Sequence, residues 1–282
     1  MNDKTYNVNN NSKDKAALLE RIEQTLPQLV KLLLEERRQM ESALNMPSLP
    51  SELRAQWDLF RTLVNTRPPA PASAELTSLQ DQLLQGLLAY RSTTTLANIP
   101  TIEGHERIRL WQGDITTLAT DAIVNAANSG MLGCFVPGHF CIDNAIHTFA
   151  GIQLRLECAR LMEEQGYPEP TGMAKVTDAF NLPSNHVIHT VGPIAGGSAT
   201  PTDRSLLANC YTSCLDAAAE LECSSIAFCC ISTGVFGFPQ NEAARIAVET
   251  VKTWLDQHPG KLEVVFNVFS DKDRSLYHTL LS

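Results

Sequence analysis

The sequence predicts a layered α/β domain over residues 99–282, preceded by a helical extension over residues 1–98. Two observations carry that expectation. From about Thr101 onward, short apolar β-branched runs alternate with longer helical stretches, the pattern of a sheet covered by helices. Before that point, leucines recur every three or four residues in separate helical stripes. A chain of 282 residues can bury a full core either way, as one large domain or as a core domain with a smaller addition.

The elements follow in order. The opening MNDKTYNVNNNSKDK is polar and reads as frayed. Leu19, Ile22, Leu26, Leu29 and Leu33 then mark one face of a helix, expected to break or bend near Pro27, where a backbone N–H is missing. Leu53, Trp57, Phe60 and Val64 form a second stripe. After the turn-rich TRPPAPAS comes a third, Leu76, Leu79, Leu83 and Leu87, which needs another surface to pack on. A helical appendage docked on the next domain is the expected role, with a partner-recruiting arm as the alternative. Beyond Thr101 the expected strands are IRLWQ, DAIVNAA, AKVTDAF, HVIHTVG, SIAFCCI and LEVVFNVF. Between them GIQLRLECARLMEEQG, DRSLLANCYTSCLDAAAELE and PQNEAARIAVETVKTWLDQH read as helices, and DRSLYHTLL closes the chain as another. Ligands of such sheets collect at the carboxyl ends of the strands, so those following segments carry the functional expectation.

Composition narrows the class. With 44% hydrophobic, 19% charged and 6% aromatic residues, the chain is of ordinary globular type. Thirty-one acidic against twenty-two basic side chains give a net charge of -9, which repels phosphate backbones and anionic membranes. No nucleic-acid or membrane partner is therefore expected. A small anionic ligand stays open, because backbone N–H groups at helix starts and glycine-rich turns hold phosphate without a basic surface. No apolar run resembles a signal peptide or approaches the roughly 18 residues of a spanning helix, so a cytoplasmic protein with free thiols is expected. Of the eight cysteines, Cys158, Cys210, Cys214, Cys223, Cys229 and Cys230 lie in apolar surroundings, where cysteine acts as a small hydrophobe. Cys134 and Cys141 do not.

Those two thiols belong to the loop NAANSGMLGCFVPGHFCIDNAIH, which follows an expected strand. Asn125 and Asn128 there are either turn formers or partners for ribose hydroxyls, which need both a donor and an acceptor. Cys134, His139 and Cys141 place two thiols and an imidazole within eight residues, a donor set suited to zinc or else a chance grouping. Three ligands leave a fourth position open, as catalytic rather than structural zinc requires. The second informative segment, ISTGVFGFPQNEAAR, sets small residues between a strand and a helix. Its amides suit a diphosphate, or it is only a tight turn; neither the P-loop nor the G-x-G-x-x-G spacing is present. No H-E-x-x-H pair occurs, which disfavours zinc proteolysis.

Taken together, GDIT at 113–116, NAAN at 125–128, CIDNAIH at 141–147 and STGVFG at 232–237 resemble the macrodomain family in order and spacing. The resemblance covers roughly residues 100–282, and the Cys134, His139, Cys141 insert is similar to that of the family's zinc-containing microbial branch, which also has an N-terminal helical extension. It implies a three-layer α/β/α fold with a mixed, mostly parallel sheet and an ADP-ribose cleft across its top. By the same resemblance, Asp114 and the backbone of Ile115 would meet adenine, with Phe269 over the ring. Ser232, Thr233, Gly234, Val235, Phe236 and Gly237 would hold the diphosphate and pack on the distal ribose, which Asn125 and Asn128 address. One zinc held by Cys134, His139 and Cys141 would sit beside that ribose.

Where hydrolytic relatives continue this loop through a run of glycines, CFVPGHFC stands here, which makes the metal the natural replacement. The implied activity is mono-ADP-ribosyl hydrolysis from protein side chains, through an Asp or Glu ester, with Asn128 positioning the sugar. Asp143 would orient water or a zinc ligand, its alternative role being the N-cap of the NAIH helix. A non-catalytic ADP-ribose reader with a structural zinc is the rival reading. The branch is often encoded beside a sirtuin-type ADP-ribosyl transferase and a lipoyl-carrier protein, which implies reversal of that modification.

Overall fold

The computed structural model describes residues 12–40, 47–260 and 262–282. Most of the polar opening segment, read as frayed, lies outside the described residues, and the chain is helical from Ser12. Three helices come first: α1 (Ser12–Met40), α2 (Leu53–Thr66) and α3 (Ala74–Arg91). Of the break or bend expected near Pro27, the break does not occur, for α1 is continuous through it. The missing hydrogen bond is offset by packing, since Leu26, Leu29, Val30 and Leu33, flanking the proline, are at most 3% exposed. Leu19, at 36%, is outside that stripe, which begins at Ile22. The third stripe finds its surface on α1: Leu76, Leu83 and Leu84 join Phe60, Leu63 and Val64 of α2 in one apolar cluster with it. Ser73 caps α3, its side chain accepting from Leu76 N.

After α3 the chain forms β1 (Thr94–Thr95), β2 (Thr101–Ile102), β3 (His105–Gln112), β4 (Leu118–Ala119) and β5 (Ala122–Ala127). Helices α4 (Ile142–Ala150) and α5 (Ile152–Gln165) follow, then β6 (Ala174–Asp178), β7 (His186–Val191) and α6 (Pro201–Glu220). The chain finishes with β8 (Ser225–Phe228), α7 (Gln240–Gln257), β9 (Glu263–Val268) and α8 (Asp271–Leu281). Seven strands form one sheet in the order β2-β3-β9-β8-β5-β7-β6. The five inner strands are parallel, and β2 and β6 pair antiparallel at the edges. Parallel strands covered on both faces read as continuous apolar runs, and β5, β8 and β9 are buried almost throughout. Helices α6, α7 and α8 pack side by side against the sheet, while α4 and α5 pack on β5 and β6. The expected three-layer, mixed and mostly parallel arrangement is what forms. Among the described residues no helix is long and apolar enough to cross a membrane.

The helical segment is fastened to the α/β layers rather than tethered beside them. Strand β1 pairs in parallel with β4, and Ile152 of α5 lies in the apolar cluster of the helices. Gln80 of α3, 1% exposed, donates to Gln153 Oε1 at 2.7 Å and accepts from Ile152 N at 2.9 Å. Gly151 makes the approach possible: its φ is +102°, and a Cβ there would lie 2.5 Å from Gln80 Nε2. Gln80→Met should leave the buried Ile152 N–H without its acceptor and cost about 1–3 kcal/mol, read as a lower urea midpoint with an unchanged m-value.

Candidate functional site

Because the inner strands are parallel, the segments after β3, β9, β8, β5 and β7 all emerge along one edge of the sheet. After β5 the chain turns at Asn128, whose Oδ1 accepts from Gly130 N at 3.0 Å and whose Nδ2 donates to Gly133 O at 3.1 Å and Asp143 Oδ2 at 3.3 Å. Gly133 has φ +78°, and a Cβ would meet the His147 ring at 2.9 Å, so the loop passes over that ring only with glycine there. The loop then brings Cys134 Sγ within 3.4 Å of His139 Nδ1. With Cys141 Sγ, these ligand atoms all lie within 4.8 Å of one another, on side chains that are partly exposed. Two sulfurs and an imidazole nitrogen around one point, open on one side, fit a zinc ion with a free coordination position. Burial pushes the Cys141 thiol up to about 11, so a bound cation is what would hold it as thiolate at neutral pH.

Cys141 also corrects an expectation. It is Cys141, not Asp143, that caps α4, its Sγ accepting from Asn144 N at 3.4 Å. Asp143 sits within the first turn, 5% exposed, and accepts from Asn125 Nδ2 at 2.8 Å as well as from Asn128. Burial raises its carboxyl to about 6, against the lowering effects of the Asn125 bond, the Arg155 charge and the Asn128 bond.

Asn125 is corrected too. It lies inside β5, is 0% exposed, and spends its amide hydrogens on Asp143 and on His189 Nδ1 at 3.1 Å. Its side chain holds Asp143 from below and does not reach a ligand at the surface. Accepting at Nδ1, His189 carries its proton on Nε2 and faces Thr177 Oγ1 at 3.0 Å. Burial pushes the His189 ring down to about 3, and burial likewise keeps His147 neutral.

The second loop lies opposite. Ser232 is buried with φ +64°, and a Cβ on Gly192 would lie 2.0 Å from its Oγ. Phe238 N donates to Ser232 O and Gly237 N to Gly234 O, while Thr233 Oγ1 donates to Cys230 O. From the segment after β7, Ala195 N and Gly196 N donate to Phe236 O, and Gly197 N donates to Gly237 O. The N–H groups of Gly234, Val235 and Phe236 are spent on none of these bonds, and Val235 is 78% exposed at the tip. The Gly192 to Gly197 segment that buttresses this loop went unread in the sequence, although its glycines after an expected strand were a signal.

At the far end, Asp114 follows β3 and Phe269, 81% exposed, follows the adjacent β9. Asp114 Oδ1 accepts from Thr116 N and Oγ1 at 2.9 and 2.7 Å, and Oδ2 accepts from Arg91 Nη2 of α3 at 2.7 Å. Ile115 is buried beside it. Arg91, whose guanidinium also stands 4.2 Å from the Phe149 ring centroid, is a site-forming residue that sequence spacing could not reveal.

An open parallel sheet with glycine-rich loops gathered at its carboxyl edge is a nucleotide-type binding fold. The Macro domain family model matches residues 124–247. A protein-ADP-ribose hydrolase of Treponema medium is 54% identical over 236 residues, covering 83% of this chain and 90% of its own. One from Staphylococcus aureus is 48% identical over 246 residues, covering 87% and 92%. The solved Trypanosoma brucei macrodomain in complex with ADP-ribose is 30% identical, with a TM-score of 0.61 over 79% of this chain and 95% of that one. The chain belongs to the macrodomain family.

The buried imidazole of His189 sets a pH dependence. Its folded pKa is about 3 against an ordinary 6.5, so below pH 6.5 the unfolded chain takes up a proton that the fold refuses. Stability should therefore fall as pH drops from 6.5 towards 3, and His189→Gln should flatten urea-derived stability against pH by up to about 1.4 kcal/mol per unit. A variant with the wild-type slope would exclude His189 as the source.

Proposed function

We propose that the protein is a zinc-dependent hydrolase that removes ADP-ribose from modified protein side chains. It is an enzyme of the ADP-ribosyl hydrolase type, as its half-identical relatives are named. The observation that carries the zinc dependence is the convergence of Cys134, His139 and Cys141 in the loop that Asn128 and Asp143 brace. The division of labour proposed is a helical extension over residues 1–98 and a catalytic domain over 99–282. A reducing, cytoplasmic setting belongs to the same reading, supported by eight free thiols.

On this reading each part of the ligand is assigned to a group of residues. The Ser232, Thr233, Gly234, Val235, Phe236, Gly237 loop offers backbone N–H groups to the diphosphate beside the start of α7, which suits a protein of net charge -9. Asp114, the Ile115 backbone and Phe269 form the adenine end. Asn128 positions the distal ribose, and the Asp143 carboxylate holds the Asn128 amide in the required orientation. Cys134, His139 and Cys141 would hold a zinc, which would supply Lewis-acid polarisation of a ribose oxygen or a water near the anomeric carbon. Hydrolysis would form a bond from a water oxygen to ADP-ribose C1 and break the bond from C1 to the acceptor oxygen of an Asp or Glu ester, which leaves as the free carboxylate while ADP-ribose carries the new hydroxyl. A lipoyl-carrier protein modified by a sirtuin-type transferase is the partner to try first.

Metal analysis should find one zinc per chain, and the wild type should release ADP-ribose from an Asp- or Glu-linked acceptor. Cys141→Ala should lose the metal and, with it, about 10²–10⁴-fold in turnover, the equivalent of several kcal/mol of Lewis-acid stabilisation. Free ADP-ribose should still bind, measured by calorimetry. A zinc-loaded wild type that binds ADP-ribose tightly and releases none from any mono-ADP-ribosylated acceptor would make it a reader.

A further inference from the structure

We infer that the N-terminal helices form part of the metal site, with Arg61 of α2 and Arg155 of α5 positioning the loop that carries Cys134, His139 and Cys141. The inference rests on reading those three residues as zinc ligands. The loop's near end is tied to its base by Asn128 Nδ2 donating to Gly133 O at 3.1 Å and Asn144 Nδ2 donating to Cys134 O at 3.4 Å. Between Met131 and Cys141 it has no helix or strand, and Phe135, Val136 and Phe140 are 43%, 57% and 81% exposed. A ligand set on such a segment keeps its geometry only if outside groups fix the backbone.

Two buried guanidinium groups do so, one near each end. Arg155, 4% exposed, donates from Nε to Leu132 O at 2.7 Å and stands 4.4 Å from the Phe135 ring centroid. The same guanidinium donates from Nη1 to Val64 O at 3.0 Å and Arg67 O at 2.6 Å, the carbonyls at the end of α2. Arg61, 8% exposed, donates from Nη2 to His139 O at 3.1 Å and lies 4.3 Å from the Phe140 ring centroid. One arginine thus grips the residues around Cys134, and the other grips the backbone of His139 itself and the ring that precedes Cys141. Each combines a carbonyl contact with an aromatic face, a pairing that suits a planar guanidinium, which can stack while its edge donates. Helix α2 is the common wall, since it supplies Arg61 and receives Arg155.

Zinc release from the full holo-protein into excess 4-(2-pyridylazo)resorcinol tests this. Arg61→Ala and Arg61→Met should release zinc about 10–100-fold faster than wild type, the range for losing an outer-shell partner of a ligand. Arg61→Met keeps the buried stem and removes only the head group, so it stands in if the alanine variant fails to fold. Arg61→Lys should recover part of the loss, and Arg54→Ala, on the exposed face of the same helix, should release at the wild-type rate. Thermal melts of the metal-free proteins should stay together. Wild-type release rates in Arg61→Met overturn the inference, as does faster release matched by an equal loss of metal-free stability, which would make Arg61 merely structural. A wild type that takes up no zinc overturns the zinc reading itself.

Discussion

The site depends on a carboxylate buried at the top of the sheet. Asp143 is 5% exposed, and an ion in such a place is costly unless hydrogen bonds replace its lost water. Asn125 and Asn128 provide them, from inside β5 and from just beyond its end. The parallel register pairs Asn125 with His189 of β7, so the imidazole that orients Asn125 comes from the neighbouring strand at the same level. Sheet pairing therefore sets the direction of the Asn125 amide, the amide sets Asp143, and Asp143 sets Asn128 at the surface. Even so, burial outweighs these bonds and leaves the carboxyl near 6.

Steric constraints complete the cleft. Oriented amides can hold an anion without a basic surface, and they need backbones to pass close to one another. Gly192 makes room for Ser232 Oγ, and a side chain on Gly237 would press on the backbone of Gly196 and Gly197. The two loops consequently bond to each other rather than turning independently. The Ser232 to Gly237 loop is held in one conformation by that pairing.

Periodicity made most of the sheet and helices legible, because strands buried on both faces and helices with one apolar stripe leave different repeats. The misreadings came where tertiary contacts override local preference. Pro27 was read as a break or a bend, yet the apolar face of α1 keeps the helix unbroken around it. Asp143 was a better cap than cysteine on propensity, but the chain enters α4 two residues too early for that, and Cys141 takes the position. In NAAN the two asparagines look alike; only strand pairing shows that Asn125 is buried while Asn128 emerges. Arg61, Arg91 and Arg155 were invisible for a related reason, since each acts across a large sequence separation on a partner that no spacing rule connects.

Those three arginines change what the helical segment is for. A docked appendage would meet the α/β layers through apolar contact alone, as α2 and α3 partly do around Ile152. Burying guanidinium groups at that junction is expensive, and stability alone would be served as well by aliphatic side chains of similar volume. What arginine adds is direction: Arg91 fixes Asp114 at one end of the cleft, while Arg61 and Arg155 hold the loop at the other. Contacts with the helical segment are thus made at both Asp114 and the Cys134 to Cys141 loop. A loop carrying CFVPGHFC in place of a glycine run lacks the close self-packing that glycine permits, so its far end takes its order from outside, and α2 supplies it through Arg61 on His139 O.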